Sequence, residues 1–125
     1  MEKYALVMRQ TIDLADTCLE GMEHIHYRLR GGYFNETYVI LGDVVEALHY
    51  MDKSFSLFGE ELPSKAADPL KRFSKQVFKD LHHVIEAYEK GIAEDALDTI
   101  EFKLLPHYRK WKIELDKCFH SYVLN

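Results

Sequence analysis

The stretch MRQTIDLADTCLEGMEHIHYRLRGG, Met8–Gly32, decides the fold. Met8, Ile12, Ala15, Leu19, Met22, His26 and Leu29 recur every three or four residues, and Thr11, Cys18 and Ile25 widen the stripe. Side chains spaced this way share one face of a helix turning about 100° per residue, and that face needs a core. Gly31-Gly32 stops the pattern, because glycine readily takes the left-handed turn that ends helices.

Three further stretches follow the same rule. A second helix is expected to open near Asn35, a good N-cap, with Glu36 complementing the helix dipole. It carries Leu41, Val44, Val45, Leu48, Met51, Phe55 and Phe58 up to Gly59. After a longer join, Asp68-Pro69 reads as an N-cap followed by proline at the first helical position. Leu70, Phe73, Val77, Phe78, Leu81, Val84, Ile85 and Tyr88 then face inward as far as Gly91. The fourth stretch begins near Ala93 with an acidic first turn and buries Leu97, Ile100, Leu104, Tyr108, Trp111, Leu115, Cys118 and Phe119. Pro106 lies inside this stripe, whose phase persists across it, so one kinked helix is expected. Short joins make helices 1/2 and 3/4 antiparallel hairpins. The expectation is an all-α, antiparallel four-helix bundle of two αα-hairpins, with the last helix kinked at Pro106 and one domain spanning residues 1–125. A faint echo also places Cys18, Met22, Ile25 and Leu29 over Val77, Leu81, Val84 and Tyr88, as a duplicated hairpin or any two amphipathic helices would.

At 125 residues, 47% apolar and 30% charged, the chain can bury a full core without staples. A net charge of −5 argues against general binding to nucleic-acid phosphates. Cys18 and Cys118 form no CxxC pair and fall on buried faces, which suits a reducing cytosol. The N-terminus lacks an apolar signal core and no run of 18 apolar residues occurs, so neither export nor a membrane partner is expected and the location is cytoplasmic. The serines carry no nucleophile elbow, and no glycine loop has a phosphate-cradling pattern, so nothing points to an enzyme.

Several polar residues could carry chemistry. Glu-x-x-His, the di-iron carboxylate signature of helical bundles, occurs at Glu23–His26 and Glu46–His49, with a variant at Asp80–His83. It needs both groups pointing inward, and Glu46 and His83 point outward from their stripes. A smaller cluster survives: antiparallel registers put His26, Tyr38, His82 and Glu101 in one layer, with Glu23 at its edge. Such a layer, fully hydrogen-bonded, fixes helix register. The alternative is a transition-metal site of His26, His82, Glu101 and Glu23, and no other cofactor is expected. Asp52 falls on the core stripe between Leu48 and Phe55, and a buried acid needs a partner. Register offers the indole N–H of Trp111. Lys71, Arg72, Lys75 and Lys79 form a basic strip on the outer face of helix 3, either simply solvated or docking an acidic partner. Tyr27, Tyr50 and Phe102 point outward and Phe34 occupies the first hairpin turn, as anchors for a partner or a homodimer would.

The run from Leu104-Leu105-Pro106 through Trp111 to Glu114-Leu115 resembles the ending of small uncharacterised helical proteins of Gram-positive Firmicutes. Those proteins share a Leu-Leu-Pro, a Trp five positions after the Pro and a following Glu-Leu. The resemblance implies a bacterial cytosolic bundle and assigns no activity. The general shape also resembles bacterial export chaperones of flagellar subunits, at the level of fold alone. The favoured expectation is a non-enzymatic interaction module, an adaptor, chaperone-like or regulatory protein that binds a protein partner or itself. The alternative is a bundle that binds a metal or small ligand through an inward His/Glu cluster.

Overall fold

All four amphipathic stretches are helical in the computed structural model, which describes residues 2–123. A 3-10 turn, Glu2–Tyr4, leads into α1, Ala5–Arg30. A second 3-10 turn, Phe34–Thr37, leads into α2, Tyr38–Phe58, and a third, Gly59–Glu61, follows it. Next come α3, Ser64–Lys90, and α4, Ala93–Thr99. A π turn, Ile100–Leu104, joins α4 to α5, Leu105–Val123, so the last three elements form a single rod. Gly32 and Gly91 supply the left-handed turns after the first and third rods, at φ 85° and 69°.

Three boundaries differ from expectation. Asn35 does not cap α2, because the chain is already coiled from Phe34 and no side chain caps that helix. The turn is held instead by Thr37, whose hydroxyl donates to the Phe34 carbonyl at 2.6 Å and accepts from the Tyr88 hydroxyl at 2.6 Å. α3 opens at Ser64 rather than Pro69, with the N–H groups of Ala66 and Ala67 both reaching the Pro63 carbonyl at 2.9 Å. Pro69 then sits in the second turn, where its missing N–H removes one ladder bond only. The irregularity expected at Pro106 takes the form of the π turn just before it. The Leu105 N–H reaches back five residues to the Ile100 carbonyl, and the widened turn makes room for the proline ring.

The rods run antiparallel. Ala15 meets Tyr108 and His26 meets Glu101 across α1 and the last rod, while Thr37, just before α2, meets Tyr88 near the end of α3. α1 packs on α2 and α5, and α3 packs on α4 and α5; the backbones of α2 and α3 stay farther apart, as do those of the diagonal pair α1 and α3. The buried apolar side chains form one cluster, centred on residues such as Met8, Met22, Ile25, Leu81, Tyr108 and Phe119. The Tyr108 hydroxyl donates to the Ala15 carbonyl at 2.8 Å, and burial holds its proton on far above the usual range. Desolvation pushes the neighbouring Cys18 thiol up to about 11, so Cys18 acts as a small apolar filler.

The wide seam between α2 and α3 is bridged by large rings. Phe34, Tyr38 and Tyr88 pack together near the first hairpin turn, with Phe34 and Tyr88 centroids 4.6 Å apart. His49 meets Phe78 farther along at 5.4 Å. Beyond that point the seam opens.

Candidate functional site

The opening is an apolar cleft of about 240 Å3. Leu48, Met51 and Phe55 of α2 form one wall, and Leu70, Ser74, Val77 and Phe78 of α3 form the other, with Trp111 of α5 between them. Lys71 and Lys75 stand on the α3 rim and Asp52 on the α2 rim. A shallower trough continues from Lys75 and Phe78 along α3, past Lys79, to His82, His83 and Glu86.

Asp52 is therefore not a buried acid: it is exposed at the mouth of the cleft. No hydrogen bond joins it to the half-buried Trp111 among the described residues. The reason is phase and spacing. The buried line of α2 runs through Leu48, Met51, Ser54 and Phe58, which leaves Asp52 one step off it and facing the seam that α3 does not close.

The buried acid is Asp80, 2% exposed. Its Oδ2 lies 2.5 Å from His107 Nδ1, whose N–H donates to it. Gln76 Nε2 donates to the other carboxylate oxygen at 3.3 Å. The signal for it was in the sequence, since Asp80 stands three residues after Val77 and four before Val84, on the core line of α3. His107 directly follows Pro106, and Trp111 stands one turn farther along the same face of α5. The Asp80–His107 bond thus pins α5 to α3 where it positions Trp111 in the cleft. No buried side-chain nitrogen or oxygen among the described residues lacks a partner.

The layer expected near the hairpin turns is only partly assembled. His26 Nε2 lies 2.9 Å from Glu101 Oε1, and Arg30 donates to the same oxygen at 2.8 Å. The His26 hydrogen bond first, then the Arg30 charge, holds the Glu101 carboxyl below its usual range. Glu23 turns instead to Arg109 at 3.3 Å. His82 is exposed beside the α3 trough, because it follows the core residue Leu81 and because α1 and α3 occupy the diagonal of the bundle. Tyr38 donates to the Tyr88 carbonyl at 3.1 Å. Arg30 supplies the cation at Glu101, and no three His, Cys, Asp or Glu among the described residues are grouped to hold a metal ion.

Of the outward aromatics, Tyr27, Tyr50 and Phe102 are 74%, 58% and 68% exposed. Phe34 is half-buried in the ring cluster of the seam. Val39 and Leu57 on α2 are exposed apolar residues that the aromatic pattern does not reveal.

A family described as a domain of unknown function, DUF8042, matches residues 6–114. The chain belongs to that family. The DUF8042 match takes in every residue lining the cleft and both halves of the Asp80–His107 bond. No curated protein and no solved structure matches the chain. Among the described residues of this DUF8042 chain, no helix is long and apolar enough to cross a membrane.

Proposed function

We propose that this DUF8042 chain is a non-enzymatic interaction module of the bacterial cytosol that holds a helix of a protein partner in the cleft between α2 and α3. The observation that carries this reading is the open seam: two neighbouring rods whose backbones stay apart and whose apolar walls flank a tryptophan. The enclosed part of the cleft, about 240 Å3, suits one or two large apolar side chains. Its continuation along α3 suits a helix laid in the seam, the helix-in-groove mode of recognition. Both oxygens of Asp80 are engaged within the bundle, which gives that pair a positioning role. The exposed Tyr27, Tyr50 and Phe102 offer a second surface, for a partner or another copy of the chain, without a comparable cleft.

The single tryptophan of the chain lines the cleft and serves as the probe. A synthetic amphipathic helix with leucines at spacing i, i+4, i+7 and glutamines elsewhere is titrated into the protein while Trp111 emission is recorded. A saturable change is expected, lost in Ser74→Phe, which fills the cleft. Unchanged emission at millimolar peptide, with unchanged NMR shifts along α2 and α3, would overturn the proposal.

A further inference from the structure

The occupant's charge is legible on the rim. We infer that the helix held in the cleft carries an acidic flank that lies along α3, an inference that rests on the cleft being the binding site. Lys71, Lys75 and Lys79 repeat every fourth residue and therefore form one row along α3, about 12 Å from end to end at the helical rise. All three are exposed, and they line the cleft or the trough that continues it. None takes part in an ion pair among the described residues, whereas Lys112, facing another helix, holds Asp16 at 2.6 Å and Asp116 at 3.2 Å. Among the described residues, the only acids lining the groove are Asp52 on the opposite rim and Glu86 at its far end.

This cationic row stands on a chain of net charge −5, so it is a local feature rather than a reflection of composition. Its length equals a little over two turns of helix, matching a partner helix with carboxylates at i, i+4 and i+8 and apolar anchors on the adjoining face. Asp52 across the cleft disfavours a second acidic flank and so fixes which way round the partner lies. The elongated course of cleft and trough matches a helix better than a compact anion.

The test uses the whole chain and three peptides with identical leucine positions, their flanks carrying Glu, Gln or Lys, titrated at low salt and at 0.5 M salt. The Glu peptide is expected to bind about tenfold more tightly than the Gln peptide, the sum of three exposed ion pairs, and the Lys peptide more weakly still. Salt and the variant K71Q/K75Q/K79Q should each erase that order, and because these residues are exposed the variant keeps the fold. Equal binding of Glu and Gln peptides, or a preference for Glu that survives in the triple variant, overturns the acidic flank while leaving the cleft as a helix site. Failure of all three peptides to move Trp111 emission removes both. Decanoate binding more tightly than the Glu peptide overturns the inference in favour of a small anionic amphiphile.

Discussion

Replacing Asp80 with alanine should lower the stability of the bundle by about 2 kcal/mol. Hydrogen bonds to a charged group contribute roughly 1.5–3 kcal/mol each. The His107 bond, at 2.5 Å, belongs at the upper end of that range, and the Gln76 bond, at 3.3 Å, at the lower. Two effects reduce the loss. Alanine avoids the desolvation penalty of a buried carboxylate, and His107 and Gln76 are both partly exposed, so water reaches them once the acid is gone. At a urea dependence of about 2 kcal/mol per molar, the unfolding midpoint should fall by about 1 M. The melting temperature should fall by about 6–10 °C. A double-mutant cycle with His107→Ala isolates the pair, and a coupling of about 1–2 kcal/mol is expected from urea melts followed by circular dichroism. Additivity within about 0.3 kcal/mol would show that the two residues do not stabilise one another and that this bond does not pin α5.

The Glu101 carboxyl is held low by His26 and then Arg30, so its contribution is present above the ordinary carboxylate range and lost as pH falls through its lowered value. The stability deficit of Glu101→Gln should therefore be full at pH 7 and disappear on strong acidification; a deficit constant across that range contradicts the assignment. Gly42 lies exposed within α2 with nothing within 4 Å of an added Cβ, so Gly42→Ala should raise stability by about 0.5–1 kcal/mol. Gly91, at φ 69°, should lose about 1 kcal/mol as alanine, and thermal melts that move in the same direction for both would refute the pairing. With its thiol pushed up to about 11 and 3% exposed, Cys18 should react with an aromatic disulfide only as the chain unfolds, and immediate labelling of the native protein would count against its burial.

The rods were legible because periodicity depends on local spacing, and the residues that share a stripe in α1, Met8, Ala15, Cys18, Met22 and Ile25, are buried together. Glu101 beside His26 was also within reach, since antiparallel hairpins bring their turns to the same end. The pairing of rods was less accessible. Periodicity names an inward face without saying which neighbour fills it, so nothing in the sequence revealed that α2 and α3 would stay apart. That gap leaves Asp52 in solvent and Trp111 beside an opening. Periodicity likewise does not reveal that His82 of α3 stands across the bundle diagonal from His26 of α1. Asp80 could have been found from its place between Val77 and Val84, but its partner depends on the π turn, which shifts the phase of His107.

That turn also ties chain length to composition. A helix with five residues where four would serve carries one surplus residue between Ala96 and Tyr108, and the extra backbone is what admits the ring of Pro106. Neither change is easily acquired alone. Insertion without proline leaves a carbonyl ladder misaligned for no gain, and proline without insertion drives its ring into the carbonyl of Phe102. In any lineage that shares this rod, loss of the proline and loss of one residue should travel together, and the spacing from Ala96 to Tyr108 becomes a length marker for the position of Trp111 in the cleft.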